Sequence, residues 1–179
     1  MAIVKETTGF PPVLINKYLL SQLELHGLHV PIEGRIDPFL PVQSTNIDDL
    51  FSELDPSPFP FIIAYDRLVR YKPSTFYRHK REQLVYTIHA LQDEKGFDIS
   101  RVIIEALDRQ DAAAQDVNVW LKNNPDKLGT LNHNVFFHNF RVFQVDETRD
   151  LVELGSIKFN YRGKVIVEYD YHTMGTLYT

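Results

Sequence analysis

The chain has 179 residues, of which 44% are hydrophobic and 24% are charged, values typical of one globular domain with a substantial core. It contains no cysteine, which excludes disulfides, thiolate nucleophiles and thiolate metal sites together and suits a reducing cytosol. No apolar run approaches the roughly 20 residues of a membrane span, and the net charge of -5 argues against a dedicated nucleic-acid-binding protein, which normally carries a basic surface.

The first predicted element is an amphipathic helix that begins at Pro11-Pro12, since proline suits the first helical turn. Gly27 is placed to end it. Apolar residues recur at helical spacing along this segment, namely Val13, Leu14, Tyr18, Leu20, Leu23 and Leu25.

The segment 31–60 has a different character, because it holds six of the ten prolines and six acidic residues against the single base Arg35. A connection of this length inside a compact domain is usually functional or mobile. We therefore expect an extended, proline-rich acidic arm, with one or two helical turns at Asn46–Phe51.

Two strands are predicted next, at Phe61–Tyr65 and Gln83–Leu91, because apolar and β-branched residues alternate there. Six basic residues lie between or at the ends of these strands and are interleaved with aromatic residues. A stretch of this kind can bind nucleic acid through stacking and phosphate contacts, but a flanking β-hairpin with a charged exposed face explains it equally well. The residues are Arg67, Arg70, Lys72, Arg78, Lys80 and Arg81, with Tyr71, Phe76 and Tyr77.

Helical spacing returns from Phe97 to Asn124, with Asp98 or Ser100 as the expected N-cap and Pro125 as the stop. The polar run Asp108–Asp111 is expected to divide this segment into two helices.

The region Val135–Tyr171 predicts a three-stranded β-meander with two polar turns. In its last strand, alternate residues are apolar, as expected for a half-solvated antiparallel strand. The fold class predicted for 1–179 is a single α+β domain, with two or three helices on a largely antiparallel or mixed sheet. The strands are Val135–Val145, Leu151–Phe159 and Lys164–Tyr171, and the turns are Asp146–Asp150 and Asn160–Gly163.

Residues for covalent chemistry are sparse, and we expect no catalytic, cofactor-binding or metal site. The chain has no glycine-rich phosphate loop and no metalloprotease or serine-hydrolase motif. The pairs His26/His29 and His133/His138 are better explained as ordinary surface or turn histidines than as metal ligands. The acids Asp146, Glu147 and Asp150, with Arg149 among them, favour an intersubunit salt-bridge loop over a carboxylate site.

Three strings of residues resemble the tail terminator proteins of long-tailed bacteriophages, especially those that infect actinobacteria. They are Phe76–Glu82, Val102–Asn118 and Val135–Asp150, and the resemblance extends from about Phe61 to His172.

The resemblance implies a structural virion protein without enzymatic activity, assembled in the host cytoplasm. Such a protein forms a ring, expected to be a hexamer, that caps the tail tube, stops its polymerisation and presents the docking face for the head connector. DNA would pass through the lumen without specific binding, and no membrane is involved. Two alternatives stay open, a head-closure or tail-completion neck protein and a small hydrolase that uses Asp146, Glu147 or His138. Candidate ring contacts are Tyr65, Tyr71, Tyr77, Asp146, Glu147, Arg149 and Asp150.

Overall fold

The computed structural model describes residues 11–28, 38–41, 61–73, 80–90, 92–129, 134–148, 152–154, 157–159 and 161–173. The described helices and strands confirm the predicted α+β class. No helix in these ranges is long and apolar enough to cross a membrane. In chain order the elements are α1 (Pro11–Leu25), β1 (Phe39–Pro41), β2 (Phe61–Pro73), β3 (Lys80–Ala90), α2 (Asp93–Leu107), α3 (Asp111–Asn123), a 3-10 helix (Pro125–Leu128), β4 (Val135–Thr148), β5 (Val152–Leu154), β6 (Ile157–Phe159) and β7 (Tyr161–Thr173).

Five strands form a mixed sheet in the order β1-β2-β3-β7-β4, in which only the β1–β2 pair is parallel. The three α-helices of the described residues pack on one face of this sheet, hereafter the helix face. The hydroxyl of Tyr86 on β3 donates to Asn16 of α1 at 2.7 Å, and the hydroxyl of Tyr161 on β7 is hydrogen-bonded to Ser100 of α2 at 2.8 Å. The opposite side is hereafter the outer face.

The predicted β-meander is wrong in its strand order. β4 pairs directly with β7, while β5 and β6 pair only with each other as a separate hairpin. The first predicted turn is also misplaced, because residues 146–148 continue β4 and pair with β7, Asp146 lying opposite Lys164. β4 is an edge strand of the described sheet, where charged side chains can face solvent, so polarity alone does not end a strand.

The second predicted turn is wrong at Gly163, which lies inside β7. A Cβ atom at Gly163 would lie 2.8 Å from Cε1 of Tyr161, and one at Gly96 of α2 would collide with the same ring. The two glycines therefore make room for the buried Tyr161 side chain between strand and helix. A glycine within a strand often marks such a close approach.

A β-bulge in β4 explains why Phe137 and Phe140 are both buried although they are three residues apart. The pairing with β7 shifts between His138 and Phe140, and Asn139 has a φ of 42°. Asparagine tolerates this left-handed conformation better than most residues. The bulge turns both phenylalanine rings onto the helix face, where each is 0% exposed.

The predicted end of α1 is confirmed, since Gly27 has a φ of 71° and closes the helix with two backbone hydrogen bonds. Its N–H donates to the carbonyl of Glu24 at 3.0 Å, and the N–H of Leu28 donates to that of Leu23 at 2.8 Å. This Schellman arrangement favours glycine. Leu25 departs from the predicted apolar stripe, because its side chain is 77% exposed.

The division of the second helical segment at Asp108–Asp111 is confirmed, but the predicted N-cap is wrong. α2 begins at Asp93, and Gln92 occupies the cap position without a side-chain hydrogen bond. Asp98 instead pairs with Arg101 at 3.1 Å one turn later, and Ser100 is buried against Tyr161.

Most of the predicted arm, including Asn46–Phe51, lies outside the described residues. The described piece, β1, joins the sheet and buries Phe39, whose ring meets that of Tyr86 with centroids 5.9 Å apart. This part of the segment therefore belongs to the core.

Candidate interaction surfaces

Among the predicted ring-contact residues, Tyr65 is the one whose side chain is described. Tyr65 lies on the helix face and is partly buried against the core, so most of its ring is committed within the subunit. Tyr71, Asp146 and Glu147 have their backbones in β2 and β4. The remaining predicted contacts, Tyr77, Arg149 and Asp150, lie outside the described residues, so their role stays a prediction.

A fully buried carboxylate, Glu82, organises one end of the helix face. Arg67 forms a bidentate ion pair with this carboxylate, in which its Nε donates to Oε2 at 2.9 Å. The hydroxyls of Tyr169 and Tyr171 donate to its two oxygens at 2.8 and 2.7 Å. Burial, reinforced by the neighbouring Glu82 carboxylate, holds the pKa of Tyr169 well above its usual value. Both carboxylate oxygens are therefore satisfied, as a buried charge requires.

A second set of polar contacts crosses β3 and β7 on the outer face. Arg81 donates to Asp170 from Nε at 2.7 Å and from Nη2 at 3.2 Å. Gln83 donates to Glu168 at 3.2 Å. The hydrogen bond with Asp170 outweighs partial burial and raises the pKa of Arg81. Together with the pairing of Arg67, this pairing shows that two cations of the predicted basic stretch form ion pairs within the sheet.

The free edge of β4 is covered by α3 and by the turn between α2 and α3, residues 108–110, hereafter the corner. The Asn118 side chain donates to the carbonyl of Phe137 and accepts from its N–H, both at 2.9 Å. Gln110 exchanges two backbone hydrogen bonds with Phe140, at 3.1 and 3.3 Å. The N–H of Val142 donates to Asp108 at 3.2 Å. The backbone groups that an incoming strand would need are therefore already occupied along this stretch.

Gln110 adopts a φ of 52°, a conformation that non-glycine side chains rarely take. Its paired hydrogen bonds with Phe140 compensate for that strain. The same two hydrogen bonds therefore stabilise the conformation of Gln110 and occupy backbone groups of β4.

A hollow of about 430 Å³ opens between α3 and β4. Its lining is mostly apolar, and two of its side chains are unusually accessible for their type, Val119 at 57% exposed and Phe136 at 38%. Pockets of this size and character commonly receive a ligand or an anchoring side chain. The lining residues are Asp111, Ala114, Gln115, Asn118, Val119, Lys122, Phe136, Phe137 and His138.

His138, which lines the hollow, lies beside a second imidazole, that of His172. His138 Nε2 lies 2.6 Å from His172 Nδ1, and the rings stack with centroids 4.8 Å apart. The ring of Phe136 packs against both. Within the described ranges, no group of three or more His, Cys, Asp or Glu side chains could hold a metal ion.

The residues of the hydrolase alternative are not brought together. His138 pairs with Asp170 and Asp146 pairs with Lys164 along the same strand β7. Six residues of strand separate these positions, or about 20 Å at the usual rise. These two backbone positions are therefore far apart, and the hydrolase alternative stays a prediction.

The chain matches no family model and no curated protein. The functional features that sequence reasoning missed are the closed edge of β4 and the hollow beside it. The only local signal was Asn118, a polar residue that interrupts the apolar spacing of α3, and its partner strand could not be read from that signal.

Proposed function

We propose that this chain is a tail terminator of a long-tailed bacteriophage, a ring-forming virion protein that stops growth of the tail tube and receives the head connector. The observation that carries the proposal is the unit formed by α2, α3 and β4. Two of the three strings that resemble tail terminators, Val102–Asn118 and Val135–Asp150, contribute residues to this unit. The hydrogen bonds of Asp108, Gln110 and Asn118 with the β4 edge join one string to the other.

This coincidence supports the resemblance because the two strings are separated in sequence but depend on each other physically. The positive φ of Gln110 and the hydrogen bonds of the Asn118 side chain are stabilised by contacts with β4. The resemblance therefore covers one physically connected unit of the fold.

The charges also suit passage of DNA without specific binding. The net charge is -5, and Arg67 and Arg81 are already paired with carboxylates. A protein of net negative charge attracts the phosphate backbone weakly.

The first test is the assembly state of the purified protein. We expect a hexameric ring, measured by light scattering after size-exclusion chromatography and by negative-stain imaging across a concentration series. Ring closure can require high concentration. A strictly monomeric protein at high micromolar concentration, without rings on grids, would contradict the proposal.

The second test is made in a phage that encodes this chain. Deletion of its gene should give tube polymers of abnormal length that do not join heads, while capsids still fill with DNA. Complementation with the wild-type gene is the control. Tubes of normal length left unattached would instead assign the chain to head closure, and complete phage particles would exclude both neck functions.

A further inference from the structure

His138 of β4 and His172 of β7 meet through their ring nitrogens. In the strand pairing His138 lies opposite Asp170, and Phe136 lies opposite His172. The two histidines are therefore diagonal neighbours, which long side chains can bridge. Nε2 of His138 lies 2.6 Å from Nδ1 of His172. The ring centroids are 4.8 Å apart, close to the largest separation that this nitrogen contact permits, so the two nitrogens point toward each other.

Only a proton fits between these two nitrogens. A metal ion in line between two imidazoles would hold their nitrogens about 4 Å apart, because each metal–nitrogen bond is about 2.0–2.1 Å long. The observed distance of 2.6 Å is that of a short hydrogen bond. One ring donates its N–H and the other accepts with its lone pair. At least one of the two facing nitrogens therefore carries no proton.

The contact tolerates one added proton but not two. With one added proton the hydrogen bond is kept, since an imidazolium N–H donates to the neutral ring and the charge strengthens the bond. With two added protons both facing nitrogens carry hydrogen and both rings are positive, so the rings must separate. The folded pair should therefore bind its first proton more tightly, and its second less tightly, than an isolated imidazole does.

The charged groups of the neighbouring elements do not favour either sign of charge. Acidic and basic side chains on β3, β4, β7 and α3 come in opposite pairs, so the interaction between the two imidazoles themselves dominates their proton uptake. The pairs are Asp170 with Arg81, Glu168 with Arg141, and Asp111 with Lys122.

The pair also supports one wall of the hollow between α3 and β4. His138 and Phe136 line this hollow, and the ring of Phe136 packs against both imidazoles with centroids 5.1 and 5.4 Å away. We propose that His138 and His172 form a pH-sensitive contact, which fixes the β4 wall of the hollow while the pair holds at most one added proton and releases that wall when both imidazoles are protonated. This contact does not depend on the tail-terminator function.

Imidazole NMR signals of the wild type, followed from pH 9 to pH 4, test the order of proton uptake. We expect the pair to titrate in two steps, about one pH unit above and about one below the ordinary value of about 6.5. In His138→Gln and in His172→Gln the remaining histidine should titrate in a single step. The signal of His26, exposed just after α1, is the control and should be the same in all three proteins. Two wild-type histidines that titrate independently, as in the single variants, would overturn the proposal.

Release of the wall is measured by the nuclear Overhauser effect between the rings of Phe136 and His172. This effect should persist through the first step and disappear in the second. The amide signal of Tyr86, buried on β3, should stay unchanged and so show that the fold is intact. An effect that survives the second step would contradict a pH-sensitive contact.

Urea unfolding of the wild type and of His172→Gln over the same pH range gives an independent readout. The folded pair gains its first proton before the unfolded chain does and its second proton after it. The stability of the wild type relative to the variant should therefore rise from pH 9 to about pH 6.5 and fall again toward pH 4. With shifts of one unit each, the unfolding constant at the maximum is smaller by about threefold. A difference that is independent of pH, or that changes in one direction only, would overturn the proposal even if acid unfolds the protein before the second step.

Discussion

His89 makes the stability of this protein depend on pH in a defined direction. Its side chain is only 3% exposed and lies on the outer face of the sheet, between Ile62 on β2 and Arg162 on β7. Burial, together with the positive charge of Arg162, lowers the pKa of His89 to about 4. The unfolded chain has no such environment, and its imidazole should titrate near the ordinary value of about 6.5.

The direction of this pH dependence follows from the number of protons that the folded and the unfolded chain bind. Between pH 6.5 and about pH 4 the unfolded chain binds a proton at His89 and the folded chain does not, so acid favours unfolding. Each tenfold difference in proton affinity corresponds to about 1.4 kcal/mol. The contribution of His89 is therefore fully present above pH 6.5, and about 3 kcal/mol of it is lost by pH 4.

The assay is urea denaturation of the wild type and of His89→Gln at a series of pH values from 7 to 4. The difference in unfolding free energy between the two proteins removes the contribution of carboxylates common to both, and we expect it to change by about 3 kcal/mol over this range. His26→Gln, at an exposed position, is the control and should follow the wild type. Parallel curves for wild type and His89→Gln, or an imidazole signal of His89 that titrates near pH 6.5 in the folded protein, would refute the reasoning.

Three further substitutions test contacts within the subunit, each by urea unfolding at neutral pH. Glu82→Gln should lower the unfolding free energy by about 3 kcal/mol, because it leaves Arg67 without its buried counter-charge; adding Arg67→Met should restore part of the loss, and no restoration would contradict an ion-pair origin. Gly163→Ala should cost about 1–3 kcal/mol through overlap with Tyr161, and an unchanged midpoint would mean that the ring can move aside. Asn118→Ala should cost about 1–3 kcal/mol, since it leaves both backbone groups of one edge residue unpaired; a loss below about 0.5 kcal/mol would show that water replaces the amide.

The helices and the fold class could be predicted because their signals are local. Apolar spacing, Pro11 at the start and Gly27 at the end define α1 within one stretch of chain. The polar residues Asp108–Asp111 likewise divide α2 from α3 without reference to any partner.

The incorrect turn and strand predictions concern residues whose conformation depends on a residue far away in the sequence. Glycine is common in turns, but the role of Gly163 depends on the ring of Tyr161 and on Gly96 of α2. Asp146, Glu147 and Thr148 have the polarity of a turn, but β7 supplies their strand partners. Period-two alternation likewise cannot place Phe140, because the bulge at Asn139 changes which face it occupies.

The candidate surfaces were less predictable than the fold for the same reason. Nothing in the pattern of α1 distinguishes Leu25 from the buried leucines before it, because its exposure depends on where the helix ends relative to the rest of the domain. Asn118 could be recognised as unusual on an apolar helix face, but its partner Phe137 is 19 residues further along the chain.

The closed edge of β4 has a consequence for how the protein behaves at high concentration. Amide hydrogens of an outer strand normally exchange rapidly with solvent, yet those of Phe137, Phe140 and Val142 are bonded to α3 and the corner. They should exchange only when α3 and the corner lift away, in a local opening that leaves the rest of the sheet intact. The frequency of this opening, and not the global stability, then sets how often the strand could recruit another chain into a fibril. The hydrogen bonds that occupy this edge should therefore hinder aggregation of the protein at high concentration.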